Sequence, residues 1–341
     1  AKPGRTVILT SGTTGTPKGA TRGAPKGAGP AAALFSRIPL RARETTVISA
    51  PLFHSWGLAH MNLAMALGST VVLQRRFEPE AALRAVADNK ASALIVVPVM
   101  LQRMLALPES VTSTLDVSSL RVVGASGSAL TGELAVEWMD RFGDNLYNLY
   151  GSTEVAWATI ATPADLRAAP GTAGKPPLGT RVRVVDDEGR DVPPGTTGRI
   201  FVGNELQFEG YTGGGGKAML DGLMSVGDVG HFDHEGRLFV EGREDDMIVS
   251  GGENVFPSEV EDLLSRLDTV ADVAVVGVPD EEFGQRLKAF VVKAPGAAIT
   301  AEQVKAHVKQ HLARYKVPRD VEFLDELPRN TTGKVLRREL R

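Results

Sequence analysis

The chain has 341 residues, room for two domains at about 150 residues each, and carries 38 Lys plus Arg against 41 Asp plus Glu, a formal net charge of −3. No Lys/Arg-dense stretch interrupts that balance, which argues against a nucleic-acid partner, and 43% apolar with 23% charged residues is the composition of a folded chain, not a disordered one. Cysteine is absent, so disulfides, thiolate metal sites and Cys nucleophiles are excluded together, in keeping with a reducing, cytoplasmic compartment.

Residues Ala1-Lys2-Pro3-Gly4-Arg5 hold no apolar signal core and no initiator Met, which points to a start inside a longer parent, just before the first strand. From residue 1 to about 150, Val7-Ile8-Leu9, Val47-Ile48, Val71-Val72-Leu73, Leu94 to Val97 and Val122-Val123 read as strands. Helical patterns fall between them, at Pro79 to Asn89 and at Thr131 to Phe142, the latter with Leu134, Val136, Trp138, Met139 and Phe142 as its apolar stripe. Such alternation predicts a parallel sheet covered by helices. The longest largely apolar run, Ala91 to Leu101, contains Pro98. A membrane span needs about 20 residues, so this run reads as a strand followed by a helix, with peripheral membrane contact left open.

From about 178 to 241 short β-rich runs (Arg181 to Val185, Arg199 to Val202, Arg237 to Val240) alternate with turns such as Pro193-Pro194-Gly195, the pattern of a small antiparallel sheet or barrel. Residues 242–341 read as a small α+β domain. A helix begins after Pro257-Ser258, strands run Val270 to Val278 and Lys288 to Val292, and a helix covers Thr300 to Arg314.

One segment carries chemistry by its order of residues: Leu9-Thr10-Ser11-Gly12-Thr13-Thr14-Gly15-Thr16-Pro17-Lys18-Gly19. A strand runs into glycines that let backbone N–H groups converge, hydroxyls that donate to phosphate oxygens, and a lysine that adds a point charge. It is not a Walker A loop, because Lys18 is followed by Gly19 where that motif has Ser or Thr. Two patterns are set aside. Gly213 to Ala218 fits G-x-G-x-x-A, but no strand leads into it. His307 and His311 have zinc-ligand spacing without a third ligand, and flank the stripe Val304, Val308, Leu312.

The loop resembles the phosphate-binding loop of the adenylate-forming superfamily, which includes acyl- and aryl-CoA synthetases, and further motifs follow in that family's order across the whole chain. Ser126-Gly127-Ser128-Ala129-Leu130 is similar to the adenine-binding segment, and Asn148-Leu149-Tyr150-Gly151-Ser152-Thr153-Glu154 to the segment whose Tyr packs on adenine, whose Thr meets the α-phosphate and whose Glu holds Mg²⁺. Asp228 in Ser225-Val226-Gly227-Asp228 falls where the family holds the ribose hydroxyls, and Arg243 in Gly242-Arg243-Glu244-Asp245-Asp246 is the matching ribose arginine, with Asp245 as hinge. Lys334, in Pro328-Arg329-Asn330-Thr331-Thr332-Gly333-Lys334, falls at the catalytic lysine. The resemblance implies an α/β fold: part of a large adenylate-forming domain (1–241, with its β-rich subdomain at 178–241), then hinge and C-terminal domain (242–341).

By the same resemblance, Thr10, Ser11, Gly12, Thr13, Thr14, Gly15, Thr16 and Lys18 bind ATP together with Gly127, Ser128, Ala129, Asn148, Tyr150, Gly151, Ser152, Thr153, Asp228, Arg243 and Lys334. Lys334, Glu154 and Thr153 are the catalytic candidates, and Glu154 and Thr14 the ligands for Mg²⁺. His54 in Pro51-Leu52-Phe53-His54-Ser55-Trp56 matches the acid-pocket segment, joined by Trp56, Ser126 and Trp157. Amino-acid-activating relatives have an Asp at the His54 position. Without it an α-ammonium would lie unpaired, so the implied acid is apolar: a fatty acid as first reading, an aryl acid as alternative. Gly251 and Gly252 match the tunnel through which coenzyme A reaches the acyl carbon. The implied reaction has two steps, acyl-AMP formation and thioester formation. A nucleotide-binding chain without catalysis is the reading from another class, and a homodimer is left open.

Overall fold

The computed structural model describes residues 6–9, 19–22, 27–208, 210–211, 216–250, 252–330 and 334–340, the first two segments and Asn254 as backbone only. In chain order the elements are β1 (Thr6–Leu9), β2 (Gly19–Arg22), α1 (Gly29–Phe35), β3 (Thr45–Ile48), α2 (Ser55–Ala66), β4 (Thr70–Leu73), α3 (Pro79–Asp88), β5 (Ala93–Val96), α4 (Pro98–Leu105), α5 (Glu109–Thr112), β6 (Val122–Ala125), α6 (Gly132–Phe142), β7 (Leu146–Tyr150), β8 (Thr159–Ala161) and α7 (Pro163–Ala168). There follow β9 (Arg181–Val185), β10 (Gly198–Gly203), β11 (Gly210–Tyr211), β12 (Met219–Leu220), β13 (Leu223–Phe232), β14 (Leu238–Arg243), β15 (Ile248–Ser250), β16 (Glu253–Val255), α8 (Pro257–Ser265), β17 (Val270–Asp280), β18 (Gly284–Lys293), α9 (Ala301–His311) and β19 (Asp320–Leu324). The chain divides into two compact units, one of residues 1–226 and 231–239, the other of 227–230 and 240–341.

In the first unit a six-stranded sheet has the order β4-β3-β5-β6-β7-β8. Its first five strands are parallel and β8 pairs antiparallel with β7. The central strand β5 is buried along its whole length, as expected where helices cover both faces. Helix α6 begins at Thr131, whose side chain accepts from the Leu134 N–H. Its stripe delivers Trp138, which is fully buried, and the Trp138 indole N–H donates to Asn145 Oδ1 at 3.0 Å. Truncating such a side chain to Ala costs about 3–5 kcal/mol. Smaller sheets β1-β2-β11 and β12-β13-β10-β9, with β14 on β13, complete the β-rich part.

The second unit is built on the order β16-β15-β18-β17, with β19 pairing parallel to β18. Val260 and Leu264 of α8 and Val304 and Val308 of α9 are fully buried in its core with Val275, Ala289 and Val291. Helix α9 starts at a capping box, Thr300 with Gln303. It stops at His311, short of the predicted Arg314, because Leu312 turns extended at φ −123° and ψ 167°. The described residues contain no helix long and apolar enough to cross a membrane.

Candidate active site

Ligands in open α/β sheets bind beyond the carboxyl ends of the strands, and Ser126, Tyr150 and the turn after Tyr150 lie at those ends of β6 and β7. The turn folds back tightly: the Ala156 N–H donates to Ser152 O at 2.9 Å and the Ala158 N–H to Tyr150 O at 2.8 Å. A Cβ on Gly151 would lie 2.3 Å from Ala156 O and 2.6 Å from Trp157 Cα. Both obstacles are backbone, so the motif's glycine is a steric requirement of the turn. Asn204 braces the same loop, its amide donating to Val155 O at 2.7 Å and Trp157 O at 2.9 Å.

Glu154 is thereby presented as an ordered carboxylate. Its Oε1 accepts from the Tyr211 hydroxyl at 2.6 Å, and its own N–H donates to Ser152 Oγ at 3.3 Å. Burial pushes the Glu154 carboxyl up, but the hydrogen bonds from Tyr211, Ser152 and the Glu154 backbone, with the charge of Lys217, outweigh it and hold the pKa below its ordinary value. Thr153 and Tyr150 are half-buried beside it in sequence, and Asn148 is buried within β7.

Trp56 lies in the first turn of α2, whose N-cap position is His54. The Trp56 indole N–H donates to Val96 O at 2.9 Å, at the end of β5. Its ring reaches β6, where a Cβ on Gly124 would meet Trp56 Cζ2 at 3.2 Å. His54 is half-buried, and burial lowers its pKa. Ser126 is buried, Ser128 half-buried, and Gly127 and Ala129 exposed. Trp157 packs against the cluster of Leu34, Ile38, Leu149 and Ile160, with its indole N–H on Thr180 Oγ1 at 3.1 Å. It therefore has a packing role whatever its place in an acid pocket.

The second unit gathers Asp228, Arg243 and Lys334. Arg243 Nη1 donates to Asp228 Oδ1 at 3.2 Å, and Asp228 is 8% exposed. Lys334 is half-buried. Burial and the neighbouring Arg243 lower its pKa, Asp246 and Asp228 oppose them, and Arg337 adds to the lowering, so the net shift is downward. Asp245 is exposed in the single 3₁₀ turn Glu244–Asp246, with Oδ2 3.8 Å from Arg243 Nη2. Gly252 is exposed at φ +83°.

Thr10, Ser11, Gly12, Thr13, Thr14, Gly15, Thr16, Lys18 and Gly251 lie outside the described residues. Among the described residues no three His, Cys, Asp or Glu side chains gather as a metal cluster, and His311 Nδ1 lies 2.9 Å from His307 O within α9. Tyr211 and Asn204 were not singled out in the sequence. The one cue to Tyr211 is an aromatic hydroxyl next to a glycine run. A cleft lined by Arg41, Glu44, Thr46, His60 and Ser92 opens at the amino ends of β3 and β5, the edge opposite the strand ends that carry the motif residues.

Two family models match the chain: AMP-binding enzyme over residues 5–212 and AMP-binding enzyme C-terminal domain over residues 259–334. An indoleacetate–CoA ligase of Aromatoleum aromaticum is 38% identical over 98% of this chain and 66% of its own length. A feruloyl-CoA synthase of Amycolatopsis is 37% identical over 98% of this chain and 69% of its own. The amide bond synthetase McbA of Marinactinospora thermotolerans superposes with a TM-score of 0.90 at 32% identity, covering 98% of this chain and 67% of that one. The chain thus spans about two thirds of the length of the relatives it matches. With the motif order, the parallel sheet and the C-terminal unit all in agreement, the chain belongs to the AMP-binding enzyme family of the adenylate-forming superfamily.

Proposed function

We propose that this chain serves the ATP-dependent activation of an aromatic carboxylic acid to its acyl adenylate, followed by transfer to the thiol of coenzyme A. The observation that carries the reading is Lys334, an ammonium drawn partly out of water and set among Arg243, Asp228 and Asp246. A desolvated cation beside a candidate ribose-holding pair is what charge development at an α-phosphate requires. In the first step a carboxylate oxygen attacks the α-phosphorus and the bond to pyrophosphate breaks, with Lys334 and Thr153 as donors to the phosphate. In the second, the thiol sulfur attacks the acyl carbon and AMP leaves, along the path assigned to Gly251 and Gly252.

Glu154 suits a magnesium ion: an ionised carboxylate oriented by the Tyr211 hydroxyl, and a cation of this kind takes most of its oxygens from phosphates and water. When bound, the ion would neutralise charge on the phosphates, with Thr14 as the other proposed protein ligand.

An aromatic acid is preferred to a fatty acid on two grounds. Trp56 fills the space over Gly124, which shortens any pocket running along β6. Both curated relatives named above carry aromatic acids in their names. Pyrophosphate release with indole-3-acetate, ferulate, benzoate and octanoate tests the reading. The aromatic acids should turn over at least tenfold faster than octanoate. Equal or faster octanoate would overturn the aromatic preference, and no ATP-dependent release with any acid would overturn the activation itself.

A further inference from the structure

Lys334 and its described neighbours, residues 328–330 and 335–337, are bonded to one another and tied on both sides to one edge strand. The Asn330 N–H donates to Lys334 O at 2.9 Å, the Lys334 N–H to Asn330 Oδ1 at 2.9 Å, and the Leu336 N–H to Pro328 O at 2.8 Å. Five residues before Lys334, Arg329 Nη2 donates to Asp272 Oδ2 at 2.6 Å. Three residues after it, Arg337 meets Glu261 through both nitrogens, Nη1 to Oε1 at 2.7 Å and Nη2 to Oε2 at 2.8 Å. Arg337 Nη1 also donates to the Val275 carbonyl, and its Nε lies 4.0 Å from Asp246 Oδ2. Asp272 and Val275 both belong to β17, the strand at the end of its sheet.

Glu261 completes the arrangement by accepting from the Val275 N–H at 2.6 Å, so both outward backbone groups of Val275 are taken by one partly buried ion pair. Such groups on an edge strand need partners, and a hydroxyl or amide would have met that need. The fork of Arg337 does more: a bidentate guanidinium–carboxylate pair fixes direction as well as distance. Its third neighbour, Asp246, closes the 3₁₀ turn three residues beyond Arg243.

We propose that Arg337, held by Glu261 and Val275 and seconded by Arg329 on Asp272, is the positioning residue of Lys334. The two staples set the height and direction of Lys334 above β17. A displacement of about 1 Å at a reacting group can cost about a hundredfold in rate, which is the scale on which a staple matters. The inference rests on the activating role proposed for Lys334.

The test uses Arg337→Met, Arg337→Lys and Glu261→Gln in the protein as encoded, with Lys334→Ala alongside. Adenylate formation should fall at least tenfold in kcat for Arg337→Met, with the KM values for ATP and acid unchanged. Thioester formation from supplied acyl adenylate should stay at the parent rate. Arg337→Lys should recover part of the loss, and Glu261→Gln, which keeps the arginine, should repeat it in milder form should Arg337→Met fold poorly. Amide exchange at Lys334 and Leu336 should quicken while that of Val291 in β18 stays unchanged. Equal losses in both half-reactions, or normal adenylation in Arg337→Met and Glu261→Gln while Lys334→Ala is inactive, would overturn this inference alone. Full adenylation by Lys334→Ala would overturn the reading beneath it as well.

Discussion

The Tyr211 hydroxyl donates to Glu154 Oε1 at 2.6 Å across 57 positions of sequence. That bond joins the short strand β11 to the turn after β7 and orients the carboxylate. Replacing Tyr211 by Phe keeps the ring and removes one donor to a charged acceptor, a loss of about 1.5–3 kcal/mol. The expected outcome is a melting temperature lowered at neutral pH and weaker magnesium dependence of adenylate formation. An unchanged magnesium titration in Tyr211→Phe would count against the role of Glu154.

The same bond makes a pH prediction. The folded-state pKa of Glu154 lies below its ordinary value of 4.5, so the stability it contributes is present above that value and is lost as pH falls through the lower folded pKa. The cost of Tyr211→Phe should therefore be full at pH 7 and shrink below about pH 4.5 as Glu154 protonates in both proteins. Urea unfolding at pH 7 and pH 3.5 checks the sign; a cost that grows in acid contradicts it.

His60 acts with the same sign in a higher pH window. It is buried at 4% exposure, and burial pulls its pKa from 6.5 to about 4 despite the bond from its ring to Trp56 O at 3.1 Å. A folded pKa below the unfolded one means that His60 stabilises fully only above about pH 6.5, and that stability drains as pH falls toward 4. The total is about 3 kcal/mol at 1.36 kcal/mol per unit. His60→Leu should flatten the stability profile between pH 6.5 and 4, read by denaturant titration; an unaltered slope would mean that another group titrates there.

Gly151→Ala is predicted to be a folding lesion first. The added Cβ collides with the Ala156 and Trp157 backbone, so the turn must open, at a cost of about 1–3 kcal/mol. Gly124→Ala, by contrast, meets only side chains, Ile95 Cδ1 and Trp56 Cζ2, both at 3.2 Å. It should leave the melting temperature within a few degrees while shifting Trp56, and with it the relative rates for indole-3-acetate and benzoate. Identical rate ratios in Gly124→Ala and its parent would remove Trp56 from the specificity argument.

Much of this was legible before any coordinates. Of the predicted stripe, Trp138 and Met139 are buried and Leu134 and Phe142 pack partly against the core, while Val136 stays outside it and Ala135 takes the inner place. The run predicted from Leu94 to Val97 is the buried central strand Ala93–Val96. Each motif is a contiguous run, so the family resemblance could single out Tyr150, Glu154, Asp228 and Lys334 as candidates. Helix α2 escaped because Ser55–Ala66 is apolar on every side, which leaves no period to detect. Tyr211, Asn204 and Glu261 escaped for a different reason. Their partners lie 57, 49 and 76 positions away, and composition holds no trace of a contact that only the fold brings together.

The most direct measurement follows ATP, indole-3-acetate and coenzyme A with the protein as encoded and with Lys334→Ala, quantifying pyrophosphate, AMP and thioester by mass spectrometry. The account predicts equal amounts of pyrophosphate, AMP and indoleacetyl thioester from the parent protein. It predicts at least a hundredfold less pyrophosphate from Lys334→Ala, on the scale expected for a preorganised charge at the reacting phosphate, while that variant still converts supplied acyl adenylate to thioester. Release of phosphate in place of pyrophosphate, or a Lys334→Ala protein that activates the acid at the parent rate, would contradict it.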